Sequence, residues 1–188
     1  LDSHISVSNK FDRGNYSIGV AYSDQQGIIP KTEFNRIAVT IGGDYKITKN
    51  LDVSTSVNYS DNGIHSFKEE GGSGSLFYAA YGAPPSYDYK NKPTHVEGNP
   101  YQQINFRGQH DNIYWILDNS GDASKASTLI GSINLNYNPV NWLKLNYRIG
   151  LDQISGTSKQ VYGFGSGATA GRTDPPSGGQ VREDQNTR

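Results

Sequence analysis

A two-residue alternation of apolar and polar side chains over residues 14–59 constrains this chain more than any other feature. Tyr16, Ile18, Val20 and Tyr22 alternate with Ser17, Gly19, Ala21 and Ser23. Ile37, Val39, Ile41 and Tyr45 alternate with Arg36, Ala38, Thr40, Gly42 and Asp44, and Leu51, Val53, Val57 and Tyr59 with Asp52, Ser54, Ser56 and Asn58. Successive strand residues point to opposite faces, so this period gives each strand one apolar and one polar side. Residues 4–10 carry the same pattern through Ile5 and Val7, and it resumes at Leu129, Gly131, Ile133, Leu135 and Tyr137, then at Leu143, Leu145, Tyr147, Ile149 and Leu151. The reading is an antiparallel up-and-down meander of about six strands, with four in residues 1–61 and two in residues 126–154. Residues 62–125 and 155–188 are expected to be long loops.

Composition narrows the class. Gly (22) and Tyr (13) are plentiful while hydrophobic residues make up 34%, which suits an all-β chain. Without Cys there is neither a disulfide framework nor a thiolate metal site. No apolar run reaches the roughly 18 residues of a membrane-spanning helix. A net charge of −1 without a basic cluster gives no case for nucleic acid. The chain has no Met and opens on Leu1, so a processed chain or a fragment of a longer one is expected.

The connections sort by length. Those after the first, third and fifth strands are short (FDRGN, KITKN, NPVNW), and those after the second, fourth and sixth are long. In a meander this places short turns at one rim and long loops at the other, the pattern of an outer-membrane β-barrel with short periplasmic turns and long extracellular loops. Strands of about ten residues are what a tilted membrane crossing needs. On that reading Ile18, Val20, Ile37, Val39, Ile41, Val53, Val57, Ile133, Leu135, Leu145 and Ile149 face lipid. Tyr22, Tyr45, Tyr59, Tyr137 and Trp142 fall near strand ends, where aromatic girdles lie. A soluble β-sandwich shares the alternation but has no reason to sort its loops by length. Six strands cannot close a transmembrane barrel, whose smallest examples have about eight, so partners or a longer chain must supply the rest.

Several stretches then resemble one family in combination. His4, Ser6 and Ser8 in a strand, Gly14-Asn15-Tyr16 at a turn exit, Tyr22, Asp24, Gln25, Gly27 and Ile28 in a loop, and Thr32, Phe34 and Arg36 at the strand re-entry are similar to barrel strands of the SusC/RagA family of TonB-dependent outer-membrane transporters. DNIYWILDN (residues 111–119) resembles that family's Asn-Pro-Tyr-Trp loop, with Ile113 in place of Pro, and residues 132–152 resemble its next hairpin. The resemblance covers residues 1–152. It implies a slice from the middle of a barrel of about 22 strands. It also implies a plug, a SusD-type lipoprotein lid, TonB acting through a segment this sequence lacks, and import of glycans or peptides across the Gram-negative outer membrane. The alternatives are a scaffold subunit of an outer-membrane assembly and a soluble carbohydrate-binding β-sandwich.

Within the 62–125 loop, aromatic content argues for order, with a short helix expected at residues 75–81. Tyr78, Tyr81, Tyr114 and Trp115 are the candidate substrate contacts; the plainer reading is that they pack the loop or meet the lid. Arg36, Arg148, Asp44 and Asp152 read as bore-wall charges. GGSGS and GFGSG lack the Lys-Ser/Thr of a phosphate loop and read as flexible connections. No cofactor is implied. His4, His65, His95 and His110 have no metal-ligand spacing, and no nucleophile–base pair marks an enzyme.

Overall fold

In the computed structural model, residues 1–67, 74–106, 110–167 and 179–188 are described. Four strands open the chain: β1 (Asp2–Phe11), β2 (Gly14–Gln26), β3 (Glu33–Lys46) and β4 (Leu51–Ser66). A long connection follows, holding α1 (Leu76–Tyr81), a two-stranded hairpin of β5 (His95–Val96) and β6 (Asn99–Gln103), and α2 (Ile113–Asn119). The chain then returns through β7 (Gly121–Val140), β8 (Leu143–Tyr162) and β9 (Gln180–Thr187).

These form one antiparallel, up-and-down sheet of seven strands in the order β1-β2-β3-β4-β7-β8-β9. The sheet is open, with β1 and β9 at its edges. The seventh strand and the length of β7 and β8, 20 residues each, exceed the sequence reading. Residues 62–66, 121–125 and 155–162 were expected to lie in loops and are instead strand. The reason is that alternation reports a difference between faces, whereas strand pairing needs only backbone groups. Where both faces are polar, as at Lys125↔Thr157 on one and Ser124↔Ser158 on the other, the ladder continues without a hydrophobic signal.

Register sets the faces. Ile5↔Val20, Val20↔Val39, Val39↔Tyr59 and Tyr59↔Leu129 form one row, and Val53↔Leu135 and Leu135↔Tyr147 belong to another on the same side. Directly opposed residues share a face, so all eleven of the apolar positions expected to face lipid lie on one side of the sheet. The opposite side is zipped by polar side chains. Asn136 Nδ2 donates to Asp52 at 3.0 Å, Ser56 and Ser132 hydroxyls meet at 3.0 Å, and Asn15 Nδ2 donates to Asp44 at 3.1 Å. Arg148 donates to Asn134 on the same side.

The short turns lie between β1 and β2, β3 and β4, and β7 and β8; the long connections gather at the other end. The first hairpin closes on Gly14 because a Cβ there would sit 2.1 Å from the Asp44 carbonyl oxygen, leaving no room for a side chain. No described helix is long and apolar enough to span a membrane.

Among the described residues the hydrophobic core is not under the sheet. It comprises Phe67, Leu76, Ala79, Trp115 and Ile116, with Ile29, Ile113 and Leu117 packed against them. All belong to the long connections, which therefore form a crown with its own small core. The apolar sheet face has no second sheet or helical layer among the described residues, and Ile18, Val20, Ile37, Ile41, Ile133 and Ile149 are exposed.

Candidate functional site

The apolar sheet face and the loop crown both carry chemistry. On the face, Tyr22, Tyr45, Tyr59 and Tyr137 border the aliphatic band, and Trp142 stands 83% exposed at the β7–β8 turn. Val39, Val53, Val57 and Leu135 are half-buried, shaded by neighbours on the same side. Beyond the band, toward the crown, that side turns polar through Asp61, His65, Lys125 and Lys159. The band is thus finite in height as well as one-sided.

The crown is organised by α1 and α2. Ser75 caps α1 by accepting the Tyr78 N–H at 3.3 Å, and this agrees with the helix expected at residues 75–81. Asn112 caps α2, accepting from Tyr114 and Trp115 backbone N–H groups at 2.9 and 3.2 Å, and its own Nδ2 donates to the Ile104 carbonyl at 2.6 Å. The α2 helix was not anticipated, although an Asn before an apolar run is a helix-start signal.

Asp111 joins two connections. It is fully buried and accepts from Gln103 Nε2 at 3.0 Å, Ser166 Oγ at 2.9 Å and the Gly167 N–H at 2.9 Å. A buried carboxylate is tolerable only when donors surround it in this way. The GFGSG stretch expected to be flexible is therefore held in place. Gly165 has φ +89° and packs against the Tyr101 backbone, and a Cβ on Gly163 would come 2.9 Å from the Trp115 ring. GGSGS, at residues 71–75, falls mostly outside the described residues. Replacing Asp111 with Asn keeps the shape but removes the charge and forces one amide N–H toward donors. Loss of about 1–3 kcal/mol of crown stability is expected, read as faster hydrogen exchange at Gly167.

The β2–β3 connection is tied to the same body. Lys31, at φ 65°, donates from Nζ to Asp118 at 2.6 Å and to the Leu117 carbonyl at 3.0 Å. Its own carbonyl accepts from His65 Nδ1–H at 2.5 Å. A non-glycine residue with positive φ is uncommon, and here contacts on both sides of the backbone hold it.

The four aromatic candidates separate. Tyr81 is 85% exposed and Tyr78 is exposed, its ring 4.6 Å from that of His110. Tyr114 is half-buried. Trp115 is 2% exposed and donates Nε1–H to the Pro100 carbonyl at 3.2 Å. Its indole is core, not a ligand platform, which is a correction to its place among the substrate contacts and agrees with the loop-packing reading. Sequence reasoning missed Gln103, Asp111 and Asn112; Asn112 carries a local helix-start signal, whereas Gln103 and Asp111 find Gly165, Ser166 and Gly167 far along the chain.

A second aromatic group lies in the same connection. Tyr87 meets Tyr89 at 4.6 Å and Phe106 at 5.2 Å, with Lys92 Nζ 4.2 Å over the Tyr87 ring. Burial pushes the Tyr89 phenol above its ordinary pKa. Asp88 is held below the usual carboxylate range by hydrogen bonds from the side chain and backbone of Asn91. Among the described residues no group of His, Asp or Glu has the arrangement of a metal site.

No protein-family model matches the chain, and no curated protein matches it.

Proposed function

We propose that this chain forms part of the wall of an outer-membrane β-barrel in a Gram-negative cell, within a TonB-dependent importer of glycans or peptides. In that reading a SusD-type lipoprotein covers the crown, outer-membrane lipid covers the apolar face, and the polar face lines the aqueous bore. The carrying observation is the one-sided apolar face, interrupted by Thr55, bordered by tyrosines and covered by no second layer among the described residues across six neighbouring strands.

Burying an aliphatic side chain of this kind is worth about 1.5–3 kcal/mol, so a whole face left in water forgoes a large stabilisation. Acyl chains supply the missing apolar environment without a second protein layer. The same environment forbids unpaired strand edges, since each unsatisfied backbone group in hydrocarbon costs several kcal/mol. Closure by further strands at β1 and along β8 and β9 is therefore part of the proposal. The crown, fixed by Asp111 and its own core, is the extracellular mouth.

Because the chain has no Cys, single cysteines report cleanly. In lipid vesicles holding the closed barrel of which the chain is part, cysteines at Val39, Ile41, Val53 and Ile133 should resist a polar maleimide, while those at Thr40, Ser54 and Asn134 should react. Equal reactivity of the two sets in vesicles, with the sheet intact by circular dichroism, would refute the membrane reading.

A further inference from the structure

The polar face holds a depression of 570 Å³ at the crown end of β1–β3. Its floor is made of small residues: Ala21 lies opposite Ala38, and neither fills the space above the sheet. Around it stand Arg36, His4, Gln25 and Phe34. The His4 ring leans over Gly19, where an added Cβ would lie 3.5 Å from Nε2. Phe34 is half-buried and presents a ring at one side.

The charges decide what fits. The Arg36 guanidinium makes no ion pair or hydrogen bond among the described residues, although both its neighbours along the row, Ser23 and Asn62, are polar. Asp2, at the far side, accepts from the Ser23 hydroxyl. Gln25 Nε2 donates to the same hydroxyl at 3.3 Å. An open guanidinium is a planar fork that matches a carboxylate in two parallel bonds. A second negative charge on the ligand would meet Asp2, so a monoanion suits the site better than a dianion. An aromatic ring beside planar polar groups suits the apolar face of a sugar ring.

We infer that this depression is a binding site for a carboxylate-bearing sugar ring of the uronic acid type, with Arg36 pairing its carboxylate and Phe34 supporting its ring. The inference rests on the polar face being open to solutes, as the bore reading has it, and goes beyond that reading by naming a ligand class and the residues that select it. The site lies on the strands, apart from the crown aromatics.

The test is titration of the closed barrel of which the chain is part, in detergent micelles, by calorimetry, with D-glucuronate, D-glucose and glucose 6-phosphate. Glucuronate should bind about tenfold more tightly than glucose, the scale of one charge-assisted pair. Arg36→Gln should abolish that preference with the circular dichroism spectrum unchanged, and Lys144→Gln, on the same face far from the depression, should retain it. Equal binding of glucuronate and glucose, no detectable binding of either, tighter binding of glucose 6-phosphate, or a preference that survives in Arg36→Gln would each overturn the assignment. Cysteine protection in vesicles is scored separately, so a chain that passes that test and fails this one loses only the ligand site.

Discussion

Lysine at Ile41 is expected to block stable insertion into lipid, while lysine at the adjacent Thr40 is expected to be accepted. Ile41 stands mid-band, opposite Ile18 on one side and Val57 on the other, with its side chain exposed. A lysine on the lipid face near the midplane costs about 2–4 kcal/mol, whereas one on a wet face costs little. The sign is what makes the pair informative. In water an exposed Ile→Lys change is worth within about 0.5 kcal/mol and favours solubility. Urea titration of vesicle-folded protein separates the cases. A drop in midpoint for Ile41→Lys but not Thr40→Lys supports lipid contact, and no drop for either assigns the face to water or to another protein.

Truncating Trp115 to Ala should be the most damaging change in the crown. Its ring is enclosed beside Phe67, Leu76, Ala79 and Ile116, and its N–H is satisfied by Pro100. Removing it leaves a cavity and an orphaned carbonyl, at a cost of about 3–5 kcal/mol. The loss should be confined to the crown, because the strands hold each other through their own ladders and contribute few side chains to this core. Hydrogen exchange should show α1 and α2 losing protection while β3 and β4 keep theirs. If all of these elements lose protection together, crown and sheet are one cooperative unit. Trp115→Phe, which retains most of the volume, should be milder.

The two experiments probe different solvents for apolar groups. On the sheet face the proposed burial comes from outside the chain. In the crown it is supplied by the chain itself, and the crown's position over the strand ends follows from Ile29, Lys31 and His65 reaching across. A crown built this way can keep a fixed shape while Tyr78 and Tyr81 remain exposed.

Alternation by itself determined most of β1 to β4, the later part of β7, the first part of β8, and the sorting of connections between the two ends, because a period of two is a local property of the backbone. The short helix expected at residues 75–81 also formed, as α1. Only the tertiary structure decided that β7 and β8 run on through polar residues, that β9 joins the sheet, and that Trp115 is core. It alone showed Asp111 holding GFGSG and the depression formed by Arg36, His4 and Phe34. Each of these depends on residues brought together from separate stretches of chain, and neither periodicity nor composition encodes which distant partner will satisfy a buried carboxylate or leave a guanidinium open.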